Sequence, residues 1–358
     1  MAIGVADIRY ENIDNPRNTA RILILSIGTK EEVLSQWGHF FVNLIQRGHL
    51  VSFSGHSGKT PGRFPIFSAS LRQGIRGLVQ AQFQDIVVAR GVLTALVLSL
   101  LLQITGRKVK LVAVDVGILH SVSDFARALL VAIMRLISGE SIALLCYSRY
   151  ELSLWKKEGI RNVHFFYLSQ SPPRWTPNES VQPYVFSGGL TARDFRTLIS
   201  AARGSEIDFV VVGGTDPVTG LDNLRQSNHP SNVAVERNVS QKRFEELIAR
   251  ATIVALPLLP VAYPVGQTVL ATAMSYGKPV VATINSGTID YVRDGETGLL
   301  VPPEDSTSLR EAISELMNDE PLRRFFANNT LAITKRDFDP SHLATQFIQI
   351  CDTLKFQT

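Results

Sequence analysis

Short, unbroken apolar runs recur along this chain, and most are followed by a segment whose apolar residues return at helical spacing. In the first half the runs are Arg21–Ile27 (RILILSI), Leu50–Ser54, Ile66–Ser68, Asp85–Ala89, Val109–Val114, Ile142–Tyr147 and Val163–Tyr167. In the second half they are Tyr184–Ser187, Phe209–Val212, Val233–Glu236, Ile253–Leu256 and Val280–Thr283. A strand covered by helices on both faces has no wet side to alternate toward, so it reads as a continuous apolar run. Between the runs, helices are expected at Glu31–Arg47, Gly91–Ile104, Ser123–Ile137, Arg149–Glu158, Ala192–Ala202, Gln241–Ala251 and Ser306–Asn318. Val33, Leu34, Trp37, Phe41, Leu44 and Ile45 mark the apolar stripe of the first of these. Alternation of this kind predicts an α/β fold of doubly wound parallel sheets.

The chain has 358 residues, enough for two domains that each bury a core, and 45% hydrophobic against 19% charged residues places it among globular proteins. Gln170–Val181 (QSPPRWTPNESV) holds three prolines among polar residues and reads as a hinge. The expected division is a first Rossmann-like domain over 1–170, a hinge over 171–182, a second over 183–340 and a final helix over 341–358. The polar, acid-bearing first twenty residues carry no signal-peptide pattern, and Cys146 and Cys351 have no metal-ligand spacing, so a reduced, cytoplasmic protein is expected. The net charge is only +4 and no Lys/Arg run is interleaved with aromatics, which argues against nucleic acid as a partner. Val92–Leu102, the longest apolar run, falls short of the ~20 residues that span a bilayer and is expected to be a buried helix. No G-x-G-x-x-G follows a strand, so dinucleotide binding is disfavoured.

The stretch with the most chemistry is Leu259–Thr283, LPVAYPVGQTVLATAMSYGKPVVAT. A Pro- and Gly-rich loop opens a small-residue helix at about Gln267–Tyr276, and Gly277 with Lys278-Pro279 ends it ahead of the next strand. At the start, Gly266, Gln267 and Thr268 offer backbone N–H groups that a helix cannot pair internally. With the helix dipole they form an anion site suited to phosphate.

AMSYGKPVVAT followed by DGETGLLVPPEDSTSLREAI resembles the donor-binding half of GT-B glycosyltransferases, in particular the retaining group of family 4. The resemblance runs over most of 183–340 and less closely over 21–170. It implies two Rossmann-like domains facing across a cleft, with the final helix, about Ser341–Lys355, crossing back to the first domain. It also implies a nucleotide-sugar donor, a UDP- or GDP-sugar, and a hydroxyl acceptor on a glycan or lipid-linked glycan. No cofactor and no metal are expected, because this class neutralises a leaving diphosphate with helix ends and basic side chains.

Residue by residue, Arg193 stands where the family has a pyrophosphate-gripping lysine, and Gly189 where it has an arginine; otherwise Arg193 is a solvated residue of a helix first turn. The family's two glutamates, seven residues apart, are missing: Thr272 precedes Ala273-Met274, and Tyr263 or Pro264 stands at the first position. Thr272 can offer a ribose only one hydroxyl. Arg237 lies where the base-contacting loop passes and is either a stacking group or a surface charge. Gly28, Thr29 and Lys30 end a strand on the cleft side, where the family has a glycine-rich loop. Asp115 occupies the strand end near the transferred sugar, as a sugar contact or a plain turn residue, and Asp290 matches an acid that is more often structural. His49, in Arg47-Gly48-His49, is expected to pack and cap. The missing glutamates leave open an alternative, a non-catalytic subunit that binds nucleotide or sugar. Peripheral membrane contact would fall on Val92–Leu102 and on the Ala128–Ile137 helix with Arg127 and Arg135, although an interfacial helix needs a sharper polar face than the sequence displays.

Overall fold

The computed structural model describes residues 20–25, 40–47, 49–54, 73–81, 85–114, 123–137, 141–168, 183–213 and 229–355. They form two six-stranded sheets in which every described pairing is parallel. The first contains β1 (Arg21–Leu25), β2 (Leu50–Ser54), β3 (Ile86–Arg90), β4 (Lys110–Val114), β5 (Ile142–Cys146) and β6 (Val163–Phe165), in the order β2-β1-β3-β4-β5-β6. The second contains β7 (Tyr184–Gly188), β8 (Asp208–Gly213), β9 (Val233–Arg237), β10 (Ile253–Leu256), β11 (Val280–Thr283) and β12 (Gly298–Val301), in the order β12-β11-β10-β7-β8-β9. All residues of β5, β7, β10 and β11 are buried, as the continuous apolar runs require.

Helices cover both faces of each sheet. Over one face of the first lie α2 (73–81), α3 (Val92–Thr105), α4 (Asp124–Ile137) and α5 (Arg149–Lys157), packed on Leu23, Val87, Leu111 and Leu144. The other face carries α1 (40–46) and the last helix, α11 (Pro340–Thr353), packed on Ile22, Val88, Val112 and Leu145. The final helix therefore crosses back: Phe347 meets Phe40 edge-on at 5.4 Å, and Arg47 Nη2 donates to the Ser341 carbonyl at 2.9 Å. The second sheet is flanked by α6 (Phe195–Ala202), α7 (Gln241–Arg250), α8 (Gln267–Ser275), α9 (Ser306–Asn318) and α10 (Glu320–Asp337).

Three of these elements, α2, β12 and α10, were not expected from the sequence. Gly298–Val301 is only four residues long, and α10 buries little of its length, Phe326 and Thr330, so neither carries a sharp apolar period. Its start was nonetheless marked by Asp319, which caps Leu322 N–H at 2.8 Å, and by Pro321 in its first turn. The expected strand at Ile66–Ser68 lies outside the described residues. Between β7 and β8, the helix begins at Phe195 rather than Ala192. Ala192 has φ 52, outside the helical region, and Asp194 is the N-cap, accepting from Thr197 N–H at 2.9 Å.

The two units meet through specific contacts. Asp290 accepts the backbone N–H of Arg149 at 2.7 Å, and Tyr167 O–H donates to the Asp290 carbonyl at 3.3 Å. Tyr291 O–H donates to the Tyr147 carbonyl and accepts from Leu168 N–H, both at 3.4 Å. Tyr167 and Phe338 stack at 4.3 Å beside them. Asp290 is thus the structural acid, and burial holds its carboxyl above the usual range.

Candidate active site

The site is built where strands of both sheets end. Open α/β sheets bind ligands outside the carboxyl ends of their strands, at the switch in strand order. In the second sheet that switch lies between β7 and β10. A cavity of about 1110 Å³ opens there, lined by Gly189 after β7, Gly213 at the end of β8, Asn238 after β9 and the loop that follows β10. Arg90 at the end of β3, Tyr147 and Glu151 line it from the first unit.

The loop after β10 is held from below. Asn285 Oδ1 accepts N–H groups of Gly287 (2.8 Å) and Val265 (3.4 Å), while its Nδ2 donates to the carbonyl of Val261 (3.3 Å). Thr283 Oγ1 accepts Leu258 N–H at 3.0 Å. Gly266 then turns with φ 94, a backbone conformation that residues with a Cβ rarely adopt, so glycine is favoured there. Helix α8 starts directly after it, with no side chain capping its amides. Among the described residues no acceptor takes the N–H of Gln267 or Thr268, and Gly266, Gln267 and Thr268 all line the cavity. Unpaired amides at the positive end of a helix, facing a cleft, form an anion site.

Arg193 is the second part. It is only 5% exposed, yet among the described residues no carboxylate pairs with it. Its Nε donates to the Gly188 carbonyl at 2.7 Å and Nη1 to the Thr191 carbonyl at 2.6 Å, which fixes the guanidinium across Gly189 at the cavity wall. Burial lowers its pKa to about 10, so it stays cationic at neutral pH. A buried charge without a counter-ion is costly, and an anion in the cavity would offset that cost. The alternative of a solvated first-turn residue does not hold: Arg193 is buried, precedes α6 and forms a bridge with Leu258.

The other expected residues divide. Thr272 lies in the second turn of α8, 6% exposed, with its hydroxyl donating to the Thr268 carbonyl at 2.8 Å, and it does not line the cavity. The hydroxyl's proton is engaged with its own helix, so a ribose contact by Thr272 would use only the remaining acceptor capacity of the oxygen. Arg237 ends β9 opposite Gly213 and does not line the cavity, although its neighbours Asn238 and Val239 do. Gly28, Thr29, Lys30 and Asp115 lie outside the described residues. His49 packs as expected: Nδ1 accepts Ala20 N–H at 3.2 Å, and burial lowers its pKa. The chain contains one Asp-x-Asp triplet, Asp337-Phe338-Asp339. Asp337 pairs with Arg336 at 2.6 Å and Asp339 caps α11, both away from the cavity lining.

Sequence reasoning missed Arg90, Glu151, Gln241 and the supporting Asn285. Arg90 and Gln241 had a signal, since each stands at a strand end or helix start on the carboxyl side of its sheet. Glu151 was visible only through its backbone N–H, which Ser148 caps at 3.0 Å, with nothing to say that the residue lines the cavity.

Two such parallel sheets, each covered by helices on both faces and opposed across a cavity, with the last helix returned to the first unit, define the GT-B fold. Residues 189–319 match the family model of glycosyl transferases group 1. The crystal structure of Anabaena HepE in complex with UDP and glucose covers 94% of this chain and all of its own, with a TM-score of 0.75 at 17% identity. Among curated relatives, an O-antigen chain mannosyltransferase C of Escherichia coli is 24% identical over 188 residues, 52% of this chain and 50% of the relative. An exopolysaccharide phosphotransferase of Streptomyces coelicolor is 47% identical over 89 residues, 24% of this chain but 9% of that protein. The chain thus spans half or less of the length of these curated relatives.

Proposed function

We propose that this protein is a glycosyltransferase that moves a hexose from a nucleotide-diphosphate donor, a UDP- or GDP-sugar, to a hydroxyl of a glycan or lipid-linked acceptor. The observation that carries the reading is the convergence, on one cavity, of α8 amides and a buried Arg193 guanidinium that have no acceptor and no counter-ion among the described residues. In this reading the diphosphate rests on Gly266, Gln267 and Thr268, with Arg193 against its charge. As the bond from the anomeric carbon to the diphosphate oxygen breaks, these groups stabilise the negative charge that develops there. The acceptor oxygen then bonds the anomeric carbon on the same face and passes its proton to the departing diphosphate oxygen, which retains configuration. Amides and a guanidinium supply this stabilisation without a metal. In this reading Arg90 and Glu151, which line the cavity from the first unit, meet the sugar, and the roles expected of Lys30 and Asp115 from the family resemblance belong to the same proposal. The domain division at 1–170, 171–182, 183–340 and 341–358 and a cytoplasmic location belong to this proposal.

Thermal-shift screening against UDP-, GDP- and ADP-sugars tests it, because a specific ligand raises the melting temperature. One nucleotide class should stabilise the protein, and Arg193→Ala should remove both that shift and turnover. Silence across the whole panel would overturn the proposal. The geometry of Thr272 favours a second reading, a non-catalytic nucleotide- or sugar-binding subunit, since no diol clasp replaces the missing glutamates in its helix. Donor binding without transfer across an acceptor panel would select it.

A further inference from the structure

Helices α2, α3 and α4 lie side by side over one face of the first sheet. Gly74 and Gly77 bring α2 against Val97 and Leu98 of α3, and α3 packs on α4. Their outward faces are unusual. In α4 the core side is made by Val131 and Met134, yet the opposite side is apolar too. Phe125, Leu129, Ala132 and Leu136 fall at i, i+4, i+7 and i+11, one stripe on the helix, with Phe125 80% and Leu136 82% exposed. Next to it α3 exposes Leu100 and Ile104, four residues apart, and α2 exposes Ile75 and Val79 at the same spacing. Half of the large apolar side chains strongly exposed among the described residues are gathered on these three helices. Clustering of this kind marks a surface that another phase or molecule covers.

The charges decide between occupants. Segments 73–81, 92–109 and 123–137 contain five basic residues, Arg76, Arg107, Lys108, Arg127 and Arg135, and one acid, Asp124 at the start of α4. Arg135 also touches Glu158, the residue that follows α5, at 3.3 Å. A second copy of the same basic face would meet it with like charge. Anionic headgroups over an apolar layer complement both features at once. Among the described residues no helix is long and apolar enough to cross a membrane, so the contact is peripheral.

We propose that the outward face of α2, α3 and α4 docks on a bilayer surface carrying anionic lipid, with the apolar stripe of α4 inserted among the headgroups and the basic residues around it. Helices that follow parallel strands start at the carboxyl ends of those strands, so Phe125, in the first turn of α4, lies toward the cleft end of the sheet. Docked in this way, the cavity opens close to the lipid surface. An acceptor held in the bilayer would reach it without leaving the membrane. The docking argument itself uses no part of the donor site.

Flotation of the full chain with vesicles of phosphatidylcholine alone, and of phosphatidylcholine mixed with phosphatidylglycerol, tests it. Binding is expected to the mixed vesicles, at least about tenfold above the neutral ones at low salt, and to fall as salt rises. Leu129→Glu with Leu136→Glu, and separately Arg76→Glu with Lys108→Glu, should each lower binding about tenfold or more. Both pairs lie on the solvent side, so the melting temperature and any donor-induced shift should persist. Absence of flotation, equal flotation with both vesicle types, or flotation unchanged in both variants would overturn the proposal. So would a dimer in vesicle-free solution that Leu129→Glu with Leu136→Glu dissociates. A preserved donor shift in any of these cases would leave the transferase reading standing.

Discussion

The guanidinium of Arg193 occupies the space that a side chain at Gly189 would fill. Gly189 has φ 125, a conformation closed to ordinary side chains, and the cation is tied down by the carbonyls of Gly188 and Thr191 on either side. The absence of a side chain at one residue is thus what places the charge of the other at the cavity wall.

Gly189→Ala should therefore act as an Arg193 substitution would. The strained backbone and displaced guanidinium are expected to cost about 1–3 kcal/mol in stability. The donor-induced rise in melting temperature should be lost with it. Arg193→Gln, which removes the charge and keeps much of the volume, should lower kcat/KM by about 100-fold or more if the cation meets charge developing in the transition state. Steady-state kinetics with the donor found by screening checks both variants.

Thr272→Ala separates the inherited expectation from the geometry. The hydroxyl bonds the Thr268 carbonyl inside α8, so kcat/KM should stay within about twofold of the parent and stability within about 1 kcal/mol. A tenfold rise in the KM for donor would mean that the hydroxyl turns to the ligand after all.

Asp290 and Arg149 join the two units through a 2.7 Å hydrogen bond to the backbone of α5. Asp290→Ala removes the acceptor and is expected to cost about 1–3 kcal/mol. Because the bond spans the units rather than either core, urea unfolding should broaden or split, with the first unit separating from the second. A single transition of unchanged shape would argue that the Tyr167, Tyr291 and Phe338 cluster is sufficient.

His49 supplies a pH dependence whose sign is set by burial. Its folded pKa is lowered, chiefly by desolvation and then by the nearby Arg47. Between the ordinary imidazole value and the lower folded one, the unfolded chain binds more protons, so stability falls as pH drops through that window. His164 shifts the same way, also through burial. His49→Leu should accordingly flatten part of the acid limb of a melting temperature versus pH curve, and leave a remainder that His164→Leu reduces further.

Phe347→Ala tests the returning helix. Phe347 is fully buried against Phe40 and is expected to cost about 3–5 kcal/mol when truncated. Near-parental stability measured by denaturant titration would mean that α11 is not a structural part of the first unit.

Most of the fold was legible because parallel strands buried on both faces must be written as apolar runs. RILIL, IALLC and VVAT could be placed to within a residue or two without coordinates. The helix start at Gln267 was legible for a similar reason, since Gly266 and the surrounding prolines leave the local backbone few choices. Position 193 was read half correctly: the cation was named, but its burial was not. Burial there follows from the bend at Ala192 and the bridge to Leu258, a partner sixty-five residues along the chain.

Local patterning, then, determined most of the strands and helices and the amides at the head of α8, because each depends on neighbours within a few residues. What surrounds those amides was decided only in three dimensions. Arg90, Tyr147 and Glu151 come from another sheet, Asn285 supports the loop from the far side of β11, and the outward apolar stripe of α4 is distinguishable from a core stripe only once its other face is seen to be packed. A sequence records which side chains are apolar or charged, but which of them share a cavity or face solvent depends on how separate elements pack. Contacts of that kind carry no periodicity for a sequence to display.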